Sequence, residues 1–314
     1  MRNRITKALV VALAVVATVS SRSALAQTFK TVSVQNNVKM AQIASGGMSV
    51  WGLGTNGHPY IFKGGSFVKA STISLTQIAV GGGNVGQPDA VWALDLAHNI
   101  YKAVKSGNTY SFNQIPGSLD TIAVGVGYQD SCHPYEVWGL SPYVVGLLNS
   151  SGILRFDFCK SDWDQIPGML GSLAVGGGDV WGTDGNNEVF GLDFASMTFQ
   201  LFNVAASQVA AAPEGAWGTL YVSEQDETLI LRTDSNHGFL SGDIIGITPG
   251  SLTLLAGGDG VWGINPSGQV FVYRYAYNGF LQIPGIVLTS LSVGSGGGVW
   301  GIDGNGQVYV FSTL

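Results

Sequence analysis

The sequence predicts an all-β protein built from many short strands, and three observations support this fold class. The motif Val-Trp-Gly recurs along the chain, commonly after a glycine-rich turn and before a polar turn. Glycine occupies 46 of 314 positions and charged residues only 11%, without long helical periodicity. Large and small residues alternate beside these copies, which is the pattern of strands.

Seven tryptophans mark seven copies of one unit, numbered here repeat 1 to repeat 7. A period of about 42 residues indicates a repeat architecture with about four strands in each unit. Because each of the seven stands within a strand, we interpret them as packing residues rather than sugar platforms. They are Trp51, Trp92, Trp138, Trp181, Trp217, Trp262 and Trp300.

The strands of a unit follow one order. An Ile-Ala-Val-Gly strand, as at residues 78–81 and 122–125, precedes the tryptophan strand. Its large and small residues point to opposite faces, so we expect the tryptophan of an adjacent unit to pack over the small face. Gln-Ile-Pro-Gly returns at residues 114–117, 165–168 and 282–285. Because proline suits an edge strand, this segment should be the outermost strand of its unit.

Four-stranded sheets repeated seven times with no helix between them predict a β-propeller, in which each sheet buries its faces on its neighbours. Repeat 7 stops after its third strand, whereas residues 29–34 form a strand that belongs to no repeat. We therefore expect seven four-stranded blades in a ring that the N-terminal strand closes by completing the last blade.

Residues 1–26 are predicted to be a signal peptide, followed by a single domain at residues 27–314. Arg2, Arg4 and Lys7 precede an apolar run that is too short to span a bilayer, and a small-x-small cleavage site ends at Ala26. We expect a secreted protein, extracellular or periplasmic, without membrane insertion.

The charge of the exported chain argues against two classes of partner. Four of the 14 basic residues lie in the leader, so residues 27–314 carry 10 basic and 20 acidic side chains. A net charge of about −10 disfavours nucleic-acid binding, which needs a basic face. It disfavours anionic membrane surfaces for the same reason.

Cys132 and Cys159 both lie in repeat 3. An even pair in an oxidising compartment predicts one disulfide, which would stabilise by roughly 3 to 4 kcal/mol in the chain-entropy account. The alternative is two buried free thiols. Catalysis by either is disfavoured because no His/Asn framework accompanies them.

The repeats share the motif Gly-Gly-x-Val-Trp-Gly-x-Asn/Asp, which is preceded by Gln-Ile-Pro-Gly and followed by Gly-x-Val-Tyr/Phe. With this motif, the sequence resembles the tectonin repeat family. That family includes tachylectin-type and fish-egg lectins and fungal tectonins, and the resemblance covers nearly all of residues 27–314. It implies a β-propeller of tandem blades that binds glycans or bacterial surface polysaccharide multivalently. Repeat 2 departs from the pattern because Ala93 follows its tryptophan, and repeat 5 is degenerate.

A polar residue two places after Trp-Gly is the first candidate contact for a saccharide hydroxyl. These residues are Asp184, Asn265 and Asp303, with Asp95 in the variant copy. Asp and Asn also favour hairpin turns for backbone reasons alone, and both interpretations stay open.

Trp163 is the second candidate, because it is the one tryptophan outside the repeat register. An exposed ring between Asp162 and Asp164 could present an apolar platform with acceptors beside it, as sugar binding requires. The alternative is a tryptophan that covers the edge of its own sheet.

We find no pattern for a metal, a cofactor or catalysis. The Asp-Gly turns lack the ligand count of a calcium loop, and the four histidines never stand at ligand spacing. The leading hypothesis is thus a non-catalytic lectin. The alternative is an extracellular protein-interaction scaffold that uses two insertions of repeat 3, at residues 128–136 and 141–152, and the charged hairpin of repeat 5, at residues 224–227. An enzyme acting from a central channel ranks third.

Overall fold

The structure is a computed structural model that describes residues 27–81, 88–126, 130–142, 151–213, 215–222, 227–232, 252–258, 260–277, 279–296 and 298–313. The predicted signal peptide therefore lies outside the described residues. The described chain is all-β, as predicted, with two single-turn 3-10 helices at Gln35–Asn37 and Tyr275–Tyr277. None of the helices in these ranges is long and apolar enough to cross a membrane.

The strands are numbered in chain order and grouped by repeat. Strand β1 (Gln27–Val34) precedes the repeats. Repeat 1 contains β2 (Met40–Ser45), β3 (Val50–Gly54), β4 (Pro59–Lys63) and β5 (Ser66–Lys69). Repeat 2 contains β6 (Gln77–Gly81), β7 (Ala90–Leu94), β8 (Asn99–Ser106) and β9 (Thr109–Ser118). Repeat 3 contains β10 (Thr121–Gly125), β11 (Glu136–Leu140), β12 (Ser151–Asp157) and β13 (Asp162–Leu170).

The remaining repeats follow the same plan. Repeat 4 contains β14 (Ser172–Gly176), β15 (Asp179–Thr183), β16 (Glu188–Asp193) and β17 (Thr198–Ala205). The described part of repeat 5 contains β18 (Gln208–Ala212), β19 (Gly215–Val222) and β20 (Glu227–Arg232). Repeat 6 contains β21 (Leu254–Gly258), β22 (Gly260–Ile264), β23 (Gln269–Arg274) and β24 (Gly279–Val287). Repeat 7 contains β25 (Ser290–Val293), β26 (Val299–Ile302) and β27 (Val308–Thr313).

Each repeat forms an antiparallel sheet whose strands lie in chain order. Strand β1 joins two of these sheets. It pairs antiparallel with β27 from Gln27 opposite Thr313 to Val32 opposite Val308. Its last residues pair parallel with β5, so the strands of repeats 1 and 7 form one eight-stranded sheet.

The first strands of the repeats surround a central cavity, which is the arrangement of a β-propeller. They contact one another in the order β2, β6, β10, β14, β18, β21 and β25, and β25 contacts β2. The cavity measures about 300 Å³, and none of its described lining residues is ionisable. Glu214 and Asp259, which follow lining residues in the sequence, lie outside the described residues.

The repeat tryptophans are buried, with exposed fractions of 0 to 5%. In every repeat the indole stands directly opposite a small residue of the first strand, as Trp92 does opposite Ala79 and Trp300 opposite Ser292. The expectation that an adjacent unit's tryptophan covers the small face was therefore wrong. The small residue is needed because its cross-strand neighbour in the same sheet is an indole.

The tryptophan of one repeat packs against aromatic rings of the next. Ring centroids are 4.6 to 6.0 Å apart in six edge-to-face pairs. Burial of one indole removes about 150 to 250 Å² from water, a gross gain of roughly 4 to 6 kcal/mol. The pairs are Trp51–Tyr110, Trp92–Phe156, Trp138–Phe199, Trp217–Tyr273, Trp262–Phe311 and Trp300–Phe62.

Glutamine side chains also link neighbouring repeats. The Gln42 amide donates to the carbonyl oxygen of Ile78 at 3.0 Å and accepts from its backbone N–H at 2.9 Å. Gln77 makes the same pair of bonds with Ile122, at 3.2 and 3.1 Å. The first strands of repeats 1, 2 and 3 are therefore joined as well as packed.

The Gln-Ile-Pro-Gly segments lie in β9, β13 and β24, each the outermost strand of its sheet, as predicted. A register shift opposite each segment, as between Asn99 and Ile100, indicates a β-bulge. The glycine of the segment has a positive φ, 112° at Gly117, which explains the residue type.

Candidate functional site

The insertion of repeat 3 is fixed by a disulfide between Cys132 and Cys159, which confirms the predicted pairing. The bond joins the segment before β11 to the β12–β13 hairpin, whose Phe158 N–H donates to the Cys132 carbonyl oxygen at 3.1 Å. His133 is buried, and its Nδ1 lies 2.9 Å from a carboxylate oxygen of Asp130. Residues 127–129, which include the first two residues of this insertion, and residues 143–150 of the next hairpin lie outside the described residues.

A buried ion pair lies beside the disulfide-bonded segment. Glu136 is 0% exposed, and its carboxylate accepts from Arg155 Nε at 2.8 Å and from Arg155 Nη2. The same carboxylate accepts from Trp138 Nε1 at 2.7 Å. The Arg155 guanidinium also lies 5.7 Å from the Trp138 ring centroid. Three donors from repeat 3 satisfy one carboxylate of the same repeat, so hydrogen bonding within this sheet accounts for the buried pair.

The four polar residues after the tryptophans all occupy the same turn. In each, the first side-chain oxygen accepts two backbone N–H groups, two and four residues further on, at 2.8 to 3.1 Å. This hydrogen-bonded turn explains why Asp or Asn stands there. Their assignment to a sugar site stays a prediction. The residues are Asp95, Asp184, Asn265 and Asp303.

The turns of repeats 2 and 7 each hold a tyrosine against the carboxylate. Tyr101 donates to Asp95 at 3.0 Å, and Tyr309 donates to Asp303 at 3.2 Å. Desolvation alone would raise the pKa of Asp95 and of Asp303, but the hydrogen bonds outweigh it and the pKa of both is lowered. Desolvation raises the pKa of both tyrosines, and the neighbouring carboxylates raise it further.

Trp163 is half-buried rather than freely exposed. Its ring centroid lies 5.2 Å from that of Phe156 and 6.1 Å from that of Trp92 in repeat 2. Its Nε1 donates to the Pro116 carbonyl oxygen at 3.1 Å, and the ring passes over Gly117. These contacts account for Trp163 as a packing residue between repeats 2 and 3, and a sugar-binding role stays a prediction.

The five predicted sugar contacts lie apart, because they belong to five different repeats. The turn residues occupy repeats 2, 4, 6 and 7, and Trp163 lies in repeat 3. Any saccharide site built from them would therefore recur around the molecule, once per repeat, instead of forming one composite pocket.

A groove of about 850 Å³ between repeats 1 and 2 is the candidate site that the residue patterns did not reveal. Its volume lies in the range of small-ligand sites. Aromatic and aliphatic side chains, including Ile61, Phe62 and Tyr110, form its walls. Four lysines also line it, and this surface is called the lysine groove below. They are Lys63, Lys69, Lys102 and Lys105.

Asp89 holds the edge of the lysine groove together. Its carboxylate accepts the backbone N–H groups of Gly47 and Met48, each at 2.9 Å, together with the backbone N–H and the hydroxyl of Ser49. A Cβ on Gly46 would lie 2.5 Å from this carboxylate, so only glycine permits the approach. Consecutive N–H groups of this kind form an anion-binding concavity. The acid of the groove is thus satisfied by repeat 1 and pairs with none of the lysines.

Lys102 is the most enclosed of the four lysines. Its Nζ lies 5.1 Å from the ring centroid of Phe158 and 5.8 Å from that of Trp92. Burial lowers the pKa of Lys102 because the charged form loses hydration. The aromatic faces offset part of that loss.

Comparison with known proteins identifies the fold and the family. Among solved structures, the chain is similar to YCF48 bound to D1 peptide, at 11% identity and a TM-score of 0.64, covering 91% of this chain and 97% of that one. It is similar to YCF48 from Cyanidioschyzon merolae, at 12% identity and a TM-score of 0.58, covering 90% and 98%. A third is the RRP9 WD40 repeats, at 9% identity and a TM-score of 0.61, covering 91% and 97%. These likenesses concern the fold alone.

No curated protein sequence matches the chain significantly. The family model of the tectonin domain matches residues 143–314, from the second hairpin of repeat 3 to the end of repeat 7. The match covers more than half of the sequence and contains the buried tryptophans of repeats 4 to 7. The protein therefore belongs to the tectonin family.

Proposed function

We propose that this protein is a secreted, non-catalytic lectin whose seven blades close into a ring and bind glycans or surface polysaccharide multivalently. The observation that carries the proposal is a groove of ligand size, walled by aromatic and aliphatic side chains, between two repeats of a tectonin-family β-propeller. Similar weak sites around a ring gain avidity on a polysaccharide without new contacts.

Ring closure is supported by the contacts at both ends of the described chain. Strand β25 contacts β2, and Trp300 packs its ring 4.7 Å from Phe62 of repeat 1. The N-terminal strand supplies the fourth strand of the last blade through its pairing with β27. A ring of seven corresponds to the seven tryptophan-bearing repeats, which form six sheets because β1 joins repeats 1 and 7; repeat 5 is described over three strands.

Export is supported by the disulfide and the leader-like residues 1–26. A disulfide persists in an oxidising compartment such as the periplasm or the extracellular space. The direct test is the N-terminal sequence of the protein recovered from the periplasm or the medium, which should start at Gln27.

Binding is tested with the exported chain, residues 27–314, on an array of bacterial polysaccharides and methylated sugars, with and without calcium. We expect strong binding to densely displayed glycans and weak binding of the same sugar in monovalent form. Equal affinity for the two forms contradicts the multivalent mechanism, and a blank array from a well-folded protein contradicts the lectin function.

Matched variants locate the contacts. Tyr110→Ala removes an aromatic wall of the lysine groove, whereas Tyr277→Ala removes a tyrosine that is 73% exposed and lies in repeat 6. The first should weaken glycan binding and the second should not, provided that both variants unfold at similar temperatures. Alanine substitutions of Trp163 and of the four turn residues test the contacts predicted from the sequence.

A protein-interaction scaffold is the second candidate, and the disulfide-bonded insertion of repeat 3 favours it. Ser131 and Pro134 are exposed beside the bond, on a segment that the disulfide and the His133–Asp130 contact hold in place. Ser131→Arg with Pro134→Arg should abolish capture of a partner while leaving glycan binding intact. Of the charged hairpin of repeat 5, residues 224–227, positions 224–226 lie outside the described residues.

A further inference from the structure

Charge is divided unevenly along the exported chain. Residues 27–118 contain six basic and two acidic side chains, a net charge of about +4. Residues 119–314 contain four basic and 18 acidic side chains, a net charge of about −14. The two segments correspond to β1 with repeats 1 and 2, and to repeats 3 to 7. Residues 27–118 are therefore a basic region within a protein whose overall net charge is negative.

The lysine groove gathers four of the six basic residues of that region. None of Lys63, Lys69, Lys102 or Lys105 forms an ion pair with the described residues. Asp89, the acid that lines the groove, is occupied by four donors from repeat 1. Residues 82–87, which adjoin Asp89 in the sequence, contain no ionisable side chain.

These four cations line one concave surface without an acidic partner among the described residues, and the partial burial of Lys102 would strengthen its attraction to an anion. The fold does not need them, because Lys63, Lys69 and Lys105 are exposed and contribute no hydrogen bond through their ammonium groups among the described contacts. An anionic group in the groove would supply the partner that the lysines lack, with the aromatic and aliphatic walls beside it.

We propose that the lysine groove selects acidic saccharides, whose carboxylate, phosphate or sulfate groups meet Lys63, Lys69, Lys102 and Lys105 while the sugar lies against the apolar walls. The saccharide class rests on the proposed lectin function, whereas the selection for negative charge rests on the groove itself. Most of the groove lies in repeats 1 and 2, outside the segment that the tectonin family model matches.

The groove also limits which polyanions fit. The strongly acidic repeats 3 to 7 repel a nucleic acid or any long polyanion that extends beyond the groove, over distances of about 8 Å at physiological salt. A short acidic oligosaccharide can place its charge within the basic region alone.

The test compares oligogalacturonate with its methyl ester, which has the same sugar ring without the charge. Titration calorimetry on the exported chain should give tighter binding of the acid form, and the difference should shrink as salt rises from 50 to 500 mM, about the range over which screening becomes strong. A phosphorylated and a sulfated oligosaccharide of similar length distinguish the three anionic groups.

Two double variants of equal charge change locate the site. Lys63→Gln with Lys105→Gln removes two exposed cations of the groove, and Lys30→Gln with Lys39→Gln removes two exposed cations outside it. The first should weaken binding of the acid form by about three- to tenfold and leave the methyl ester unaffected. The second should change neither. Equal loss in both variants overturns the groove as the site.

The remaining outcomes separate this proposal from the lectin function. Equal affinity for the acid and its ester overturns charge selection but leaves a lectin. No saccharide binding at all overturns both. Tighter binding of poly-glutamate or of a single-stranded oligonucleotide than of every acidic saccharide overturns the saccharide class and identifies a different polyanion as the ligand.

Discussion

The side-chain amide of Gln42 satisfies both backbone polar groups of Ile78 in the neighbouring repeat, with bonds of 2.9 and 3.0 Å. Ile78 lies in the first strand of repeat 2, whose edge faces the central cavity and has no strand beyond it. The Gln42 side chain therefore forms the two hydrogen bonds that a further strand would otherwise form with the backbone of Ile78. Gln77 repeats the arrangement one repeat further on.

Replacement of Gln42 by alanine should lower the free energy of unfolding by about 1 to 3 kcal/mol, because the N–H and C=O of Ile78 lose their partners in a half-buried place. Urea unfolding followed by tryptophan fluorescence measures this change. Gln165→Ala, at an exposed position on an outermost strand, is the matched control and should change stability by less than about 0.5 kcal/mol. Equal effects would contradict the bridging role.

Removal of Glu136 should be far more damaging than removal of both members of its ion pair. Glu136→Leu leaves the Arg155 guanidinium buried without a carboxylate, and we expect a loss of about 3 to 5 kcal/mol. The double variant with Arg155→Met should regain much of that loss, because neither charge then remains buried. Thermal unfolding of Glu136→Leu, Arg155→Met and the double variant measures the coupling between the two side chains, and losses that simply add would contradict it.

Loss of the disulfide should cost about 3 to 4 kcal/mol, since the bond closes a loop with a sequence separation of 27. Cys132→Ser with Cys159→Ser removes the bond without leaving a free thiol. Urea midpoints with and without a reducing agent measure the effect. Reduction should destabilise the natural protein to the level of the double variant and leave that variant unchanged.

The hydrogen-bonded carboxylates of the turns predict a loss of stability in acid. The pKa of Asp303 is lowered in the folded protein, so its contribution is present above the unfolded value of 3.8 and disappears as pH falls below that value. Asp303→Asn should remove this part of the pH dependence, because Asn265 already accepts both backbone N–H groups of the same turn with an amide oxygen. Urea unfolding at pH 6 and pH 3 compares the variants, and an unchanged acid loss in Asp303→Asn would contradict the assignment.

The repeating part of the fold could be predicted from the sequence because the same strand and turn motifs recur in several repeats. The tryptophan spacing, the Gln-Ile-Pro-Gly edge strands and the pairing of Cys132 with Cys159 all correspond to features of the structure. The alternation of large and small residues identified the face of the first strand that carries small side chains, but it did not identify which tryptophan packs against that face. Which sheet contributes the indole beside Ala79 depends on cross-strand register, and alternation alone does not encode that register.

The lysine groove could not be found from local motifs. Lys63 and Lys69 belong to one hairpin and Lys102 and Lys105 to another, and the packing of repeat 1 on repeat 2 brings the two hairpins to one surface. The usable signal was the crowding of basic residues into the first third of an otherwise acidic chain. Trp163 was singled out because it stands outside the repeat register, but that position does not specify how far its neighbours cover it.

The pairing of β1 with β27 has a consequence for the order in which the protein can fold. The two strands are about 280 residues apart in the sequence, so their sheet cannot be completed until the final strand has emerged from the export machinery or the ribosome. Closing a loop of that length costs entropy before any contact rewards it, and such long-range pairings slow folding. Until then, the edge of β1 that pairs with β27 remains open to the strands of other chains. Dilution and rapid completion of synthesis therefore favour the native protein.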